Sequence, residues 1–442
     1  MPSKPLWVWL PDQPEPTMAG TLTTEGQGYS LTYEPQFIEA GVAIDPIALK
    51  LGTRPLKTSS LPGVIADAKP SGYGQDRLNA RHGLNLSPME LLESGAGDGA
   101  GAIAVCEDVL RKQVRSIPTL DDLERALERL DEGSPDTSVI REVGDDLDTS
   151  VGGDVPKMTL SDENRLWLAK FQDRLGRQGM PALEFVAMTL AGECGIRVPP
   201  VRLVTAGGRQ VLLVERFDRY GPPLRPCRLL FASAHTVLRL HSANARFAAR
   251  RSYLDFAYEA KRWGNLGAGN TQDMAELWRR MAFNALVGNV DDHPRNHGLL
   301  LVNGTWRLAP AFDITPCQLA ATAGDEPWPA LAMTVHISGS AEASPHHLLA
   351  SAPAFGVDLE SACNYLRRVA ATLVESWEVR LREALAPLSN PAVAEQVVST
   401  SRVALAMAER LATRPIVVDA PYDELLRQRG KRSRAQKMTE PR

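Results

Sequence analysis

Alternating apolar and polar positions mark short strands early in the chain, in WVWL and YSLTY, followed by Gly- and Pro-rich turns and a short helix in SPMELLES. These elements predict a small α+β unit over residues 1–115. The period then changes. Leu120, Leu123, Leu127 and Leu130 recur at helical spacing behind a Thr119/Asp122 capping-box start, which predicts a connecting helix within 116–138. Residues 139–220 return to strands: VGGDVPKMTLSDENRLWLAKF reads as two runs around the turn SDEN, PALEFVAMTLAGECG as a helix, and VPPVRLVTAGGRQVLLVERF as two strands joined at Gly207-Gly208. Residues 221–426 are mainly helical in pattern. The exception is HGLLLVNGTWRLAPAFD, where Asn303-Gly304 between apolar runs is a strong hairpin signal.

Composition narrows the class. At 442 residues with 44% hydrophobic positions, the chain is expected to build two or three packed units. The five cysteines, Cys106, Cys194, Cys227, Cys317 and Cys363, are scattered and form no C-x-x-C pair, which fits free thiols in a reducing compartment. No apolar run approaches bilayer length, and MPSKPLWVWLPDQPEP meets proline and acid before a signal-peptide core could form. The expectation is a cytoplasmic protein with no membrane association. A formal charge of −4 supplies no global attraction to nucleic acid, and the basic stretch 427–442 reads as a disordered, solvated tail.

The chemistry concentrates in GNVDDHPRNHGLLLVNGTWRLAPAFD. Four residues separate Asp291 from Asn296, the spacing of the catalytic Asp and metal-binding Asn in a protein kinase loop. The hairpin strengthens the reading, because one strand leaves Asn296 and the other returns to Asp313, bringing an amide and a carboxylate to one open end. Mg²⁺ prefers a few protein oxygens plus phosphate oxygens, so Asn296 and Asp313 are apt metal ligands. Asp291 is then placed to accept a hydroxyl proton. On the nucleotide side, Gly152 and Gly153 let backbone N–H groups approach phosphate, with Lys157 following. Lys170 ends the apolar strand WLAKF as a phosphate-binding cation, and Glu184 on the next helix is its candidate partner. The strand VLLVERFDRYG leads into the helical part as a hinge for adenine.

Two other motifs point to no different site. His293 and His297 flank a proline, so they do not share the helix face that an H-E-x-x-H zinc site requires. Gly95, Gly97 and Ala100 mimic a dinucleotide fingerprint but follow a helix rather than a strand.

Taken together, these motifs resemble the HipA family of serine/threonine kinases, the toxin half of bacterial toxin–antitoxin pairs. The resemblance runs through LPGVIADAKPSGYGQDRL, GAGDGAGAIAV, GGDVPK, WLAKF, VERFDR, N-x-D-D-H-P-x-N-H and LAPAFDI. It implies an α+β, two-lobed protein-kinase-like fold with an N-terminal subdomain and a mainly helical C-lobe, using ATP and Mg²⁺. It further implies that Lys170 binds ATP phosphates, that Glu215 and Phe217 border adenine, that Asp291 is the acid/base, that Asn296 and Asp313 hold Mg²⁺, and that Ser150 is autophosphorylated. A HipB-like DNA-binding antitoxin is the implied partner, with DNA reached only through it, and aminoacyl-tRNA synthetases are substrates within the family. The sequence departs from the pattern at Asp154 and Val155 in the glycine loop and lacks an H-x-E-D-F segment, which places it on a divergent branch. The alternative readings are a small-molecule phosphotransferase of the same fold and a non-catalytic antitoxin-binding, co-repressor module.

Overall fold

The computed structural model describes residues 2–113, 117–131, 156–171, 179–241, 250–264, 270–317, 328–388 and 390–413. The expectations for Ser150, Gly152, Gly153, Asp154, Val155 and the basic tail lie outside these residues.

At the N-terminus, β1 (Ser3–Trp9), β2 (Pro16–Glu25), β3 (Gly28–Tyr33), β4 (Leu56–Thr58) and β5 (Ile103–Val105) form an antiparallel sheet in the order β4-β3-β2-β1-β5. The alternation in β1 buries Leu6 and Val8. β2 is weakly patterned and is not among the strands that the sequence predicts. Its Gly20 lies so close to β3 that a Cβ there would meet the Thr32 carbonyl oxygen at 2.3 Å. The helix Pro88–Ser94 starts in a capping box, with Ser87 N donating to Glu90 Oε2 at 2.7 Å and Glu90 N donating to Ser87 Oγ at 3.4 Å.

A second sheet holds β6 (Lys157–Asp162), β7 (Arg165–Phe171), β8 (Val201–Ala206) and β9 (Arg209–Glu215) in the order β6-β7-β9-β8. The β6–β7 turn puts Glu163 at φ 48° and Asn164 at φ 60°, left-handed at both central positions as a tight hairpin demands. On one face, Leu123 and Leu127 of the helix Leu120–Asp131 pack with Met158, Leu160, Trp167 and Ala169, so this helix shares the sheet's core. The helix Met180–Glu193 packs against β8 and β9 and joins the main core through Ala182, Val186, Ala187 and Leu190.

β9 runs through Arg216–Asp218 into a short ribbon of β10 (Arg219–Tyr220) and β11 (Cys227–Arg228). Beyond it, β12 (Phe231–Ser233), β13 (Gly298–Val302) and β14 (Thr305–Leu308) form a small antiparallel sheet. Asn303 (φ 49°) and Gly304 (φ 73°) close the β13–β14 hairpin where the sequence placed it. The long helix Asn270–Val287 packs against β14 and against the helix Leu359–Leu385, burying Trp278, Phe283, Leu366 and Trp377. The described residues 309–317 and 328–344 are largely irregular, and this non-helical backbone flanks the hairpin's open end.

Candidate functional site

Lys157 and Lys170 face one another across β6 and β7 as paired residues, both buried. Like charges directly opposite on a sheet repel, so the arrangement requires anions close by. Two carboxylates meet that need. Lys170 Nζ lies 2.5 Å from Glu184 Oε1 and 2.7 Å from Asp313 Oδ1. Glu184 is a lone acid among the buried apolar positions of its helix, where an unpaired carboxylate would be costly. Burial pushes its carboxyl up, against the opposing pull of Lys170. Burial alone would lower the Lys170 ammonium, but Asp313 and Glu184 together hold it charged, above its ordinary range. Lys170 in turn keeps Asp313 below the usual carboxylate range, and the fields of Lys157 and His293 add to that.

Asp313 differs from its partners in two ways. Its side chain is 45% exposed, against 11% for Lys170 and 9% for Glu184, so it faces the open side of the cluster. Its backbone is left-handed at φ 61°, a conformation that aspartate adopts more readily than most residues but still at a cost.

The loop Asp291–His297 leads into β13. Asp291 is exposed, and its carbonyl oxygen accepts from Asn296 Nδ2 at 3.1 Å. With its nitrogen so tied, the Asn296 amide presents its oxygen as the end left for a cation. A short helical turn, Pro294–Asn296, holds the spacing, with Asn296 N donating to the His293 carbonyl at 2.8 Å.

Asp292 points the other way, into a fully buried setting. It accepts from the Tyr253 hydroxyl and from Ala332 N at 2.9 Å, and burial pushes its carboxyl up to about 8. Asn284 donates to the Tyr253 oxygen at 3.2 Å, and His297 Nε2 lies 3.2 Å from the same atom. Burial lowers His297 to about 3, so it is neutral. The loop is therefore anchored from behind by Tyr253 and Ala332, which come from elements distant in sequence.

On the hinge side, Phe217 packs its ring against Phe312 (5.4 Å between centroids) and Phe231 (6.3 Å), a half-buried aromatic triangle adjoining Asp313. The Glu215 carboxylate turns to Arg165 at 2.8 Å, on the exposed side of the strand. Arg216, Asp218 and Arg219 are buried and lock the hinge to the N-terminal subdomain: Arg216 donates to the carbonyls of Asp98 and Gly99, Arg219 to those of Gly99 and Gly101, and Asp218 accepts from Gly101 N. Burial would raise the Asp218 carboxyl, but the two guanidiniums hold it well below the usual range.

Of the residues singled out from sequence, Lys157, Lys170, Glu184 and Asp313 thus share one electrostatic cluster, Asp291 and Asn296 share one loop, and Phe217 adjoins Asp313 through Phe312. Sequence reasoning missed Phe231, Phe312 and Tyr253. Phe312 was readable as the neighbour of Asp313 in AFD, whereas Phe231 lies on a three-residue strand and Tyr253 is 39 positions from Asp292, too remote for any local signal.

Comparison with known proteins adds to this geometry. Residues 6–106 match the HipA N-terminal domain, and residues 149–377 match the HipA-like C-terminal domain. Over 146 residues the chain is 30% identical to Y4mE of Sinorhizobium fredii (strain NBRC 101917 / NGR234), named as a candidate kinase, a match covering 30% of this chain and 31% of that protein. Over 166 residues it is 26% identical to Y4dM of the same organism, named likewise, covering 34% and 36%. These matches span about a third of each relative's length. A chain from the Shewanella oneidensis MR-1 toxin–antitoxin complex of HipA, HipB and operator DNA superposes with a TM-score of 0.64 at 19% identity, over 92% of this chain and 97% of that one. The two share a fold.

Proposed function

The chain belongs to the HipA family, and from that premise we propose that it is an ATP- and Mg²⁺-dependent serine/threonine protein kinase acting as the toxin of a toxin–antitoxin pair. The observation that carries the proposal is the meeting of Lys170, Glu184 and Asp313, with the loop of Asp291 and Asn296 within electrostatic reach of Asp313 through His293, a constellation drawn from four separate elements. Its donor set suits the implied groups: a half-exposed carboxylate and a free amide oxygen for a hard cation, and a charged lysine for phosphate. Mg²⁺-bound ATP, when present, supplies the γ-phosphoryl group and the charge that neutralises its oxygens.

In this reading the chain's own residues act as follows. Lys170, held by Glu184, binds the α- and β-phosphates, and Lys157, Gly152 and Gly153 share that role. Asn296 Oδ1 and Asp313 hold the metal. Phe217, with Phe231 and Phe312 behind it, borders adenine, and the backbone at Glu215 forms the hinge. Asp291, exposed and fixed by Asn296, takes the proton of the acceptor hydroxyl. Asp292 positions the loop. Ser150 is the autophosphorylation site. The unit boundaries follow the sequence pattern: 1–115, 116–138, 139–220, 221–426 and the tail 427–442. The partner is a HipB-like antitoxin, DNA is met through it, and the setting is cytoplasmic. Among the described residues, no helix is long and apolar enough to cross a membrane.

Radiolabelled ATP incubated with the purified chain and cell extract tests the proposal. A labelled protein band that disappears in Asp291→Asn is the expected result. A labelled small molecule would move the assignment to a small-molecule phosphotransferase, and no label at all would leave a non-catalytic antitoxin-binding module.

A further inference from the structure

One flank of the catalytic loop is built by three segments. The helix Gly63–Ala66 packs against the helix Ala234–Val237, which packs in turn against the turn Pro294–Asn296. The contact is close, since a Cβ at Gly63 would meet Thr236 Oγ1 at 2.6 Å and the His241 ring at 2.7 Å. Asp67 secures it, accepting from Ser233 Oγ at 2.7 Å and Ser233 N at 2.8 Å, and is consumed in doing so. Ser233 pairs with Gly298, and Ala234 N donates to the His297 carbonyl, so these segments are registered on the loop itself.

The charges left over on this flank share one sign. Arg295, in the loop between Asp291 and Asn296, is exposed and has neither an ion pair nor a side-chain hydrogen bond among the described residues. Arg251 is likewise exposed, its carbonyl engaged by Thr334 N but its guanidinium without a partner among the described residues. Lys69 is half-buried and donates to Gln75 Oε1 and to the Pro70 carbonyl, never to a carboxylate. Arg295 lowers Lys69, and Arg295, Arg251 and His293 add to the burial that lowers His235 to about 3, while the one anion Arg295 reaches among these couplings is the buried Asp67. Among the described residues the carboxylates near this flank include Asp291, the candidate base, the buried Asp67, which Ser233 engages, and Asp255, which Arg250 engages at 3.7 Å. Unpaired like charges gathered at one face are a standing cost to the fold, and the cost is relieved by an anionic partner.

We infer that Lys69, Arg251 and Arg295 form an acceptor-docking face for a protein segment whose phosphorylated serine or threonine is flanked by aspartate or glutamate. The inference rests on the kinase reading of Asp291 and deepens it by assigning the acceptor's chemistry. Arg295 lies four residues from Asp291, so the carboxylates it meets belong to residues close to the acceptor hydroxyl in sequence.

The test uses the full chain with Mg²⁺ and labelled ATP on serine peptides of matched length whose flanks are acidic, neutral or basic. The wild type is expected to favour the acidic series by about tenfold in kcat/KM, the scale of one well-placed charge pair. Arg295→Glu and Lys69→Glu should each lose that preference, chiefly through KM, and shift it toward basic flanks. A regained basic peptide separates altered recognition from a failed fold. Labelling of the peptides without charge preference, or a preference unmoved by both reversals, overturns the docking face and leaves the kinase reading standing. No labelled peptide, in a protein whose melting temperature still rises with Mg²⁺-ATP, overturns the kinase reading and this inference with it. A short RNA that the wild type binds and Arg295→Glu releases, with peptide preference unchanged, assigns the face to RNA instead.

Discussion

The nucleotide end and the acceptor end of the candidate site use buried charge in opposite ways. At the proposed nucleotide end the candidate groups are themselves the buried charges: Lys170 and Glu184 are nearly inaccessible, and their mutual neutralisation is what allows them to sit there. At the proposed acceptor end the candidate base, Asp291, is exposed, and its neighbour Asp292 is buried in its place, tied to Tyr253 and Ala332. The difference teaches where stability and the proposed activity separate. A change at the first end is expected to alter both, whereas at the second end adjacent aspartates are expected to divide the two roles.

The largest effect is expected for Lys170→Ala. From sequence, a strand-end lysine reads as dispensable to the core. In the structure its loss leaves Glu184 buried without a counter-charge, so stability should fall by about 3 kcal/mol while turnover falls at least about a hundredfold. Urea melts and phosphotransfer assays measure the two separately. Adding Glu184→Gln to Lys170→Ala should recover much of the stability and none of the activity. If the single variant melts like the wild type, the two ends do not differ as described.

Asp291→Asn comes next, and it should touch activity alone. Turnover should drop by roughly two orders of magnitude, with the melting temperature and the Mg²⁺-ATP-induced thermal shift unchanged. A parallel loss of stability would mean that Asp291, too, carries structural load.

Asp292→Asn sharpens the contrast through pH. Burial raises the Asp292 carboxyl to about 8, so the folded protein holds a proton there that the unfolded chain releases near pH 4. The stability this group contributes is therefore complete at low pH and is lost as pH rises toward 8. Compared with Asp292→Asn, the wild type should lose up to about 1.4 kcal/mol per pH unit between roughly pH 5 and pH 8. Chemical denaturation of both proteins across that range checks it, and parallel curves would show that Asp292 stays ionised in its pocket.

The smallest effect is expected for Glu215→Ala. Among the described residues its carboxylate pairs with the exposed Arg165, an interaction worth about 0.5 kcal/mol or less. If adenine meets the backbone here, nucleotide affinity should stay within about twofold, as calorimetric titration would show. A large loss would place the carboxylate itself on the nucleotide.

Local chemistry was legible without any structure. The turns at Asn303-Gly304, Gly207-Gly208 and SDEN are where the sequence puts them, at φ 49° and 73°, 52° and 70°, and 48° and 60° respectively, with Gly or Asn, which tolerate positive φ, at every one of these positions but Glu163. The two-lobed kinase-like α+β fold and the HipA family were also readable, because motif order along the chain survives where overall identity to a solved relative is only 19%. What chain order cannot convey is which distant residues meet. Lys170 and Asp313 are 143 positions apart, and their contact exists only because the two lobes close on each other. The adjacent Asp291 and Asp292 are chemically identical, and their spacing to Asn296 favours one without saying where the other goes. Tertiary packing decided that: Tyr253 and Ala332, brought in from remote segments, supply the donors that make one aspartate's burial tolerable and leave its neighbour facing solvent.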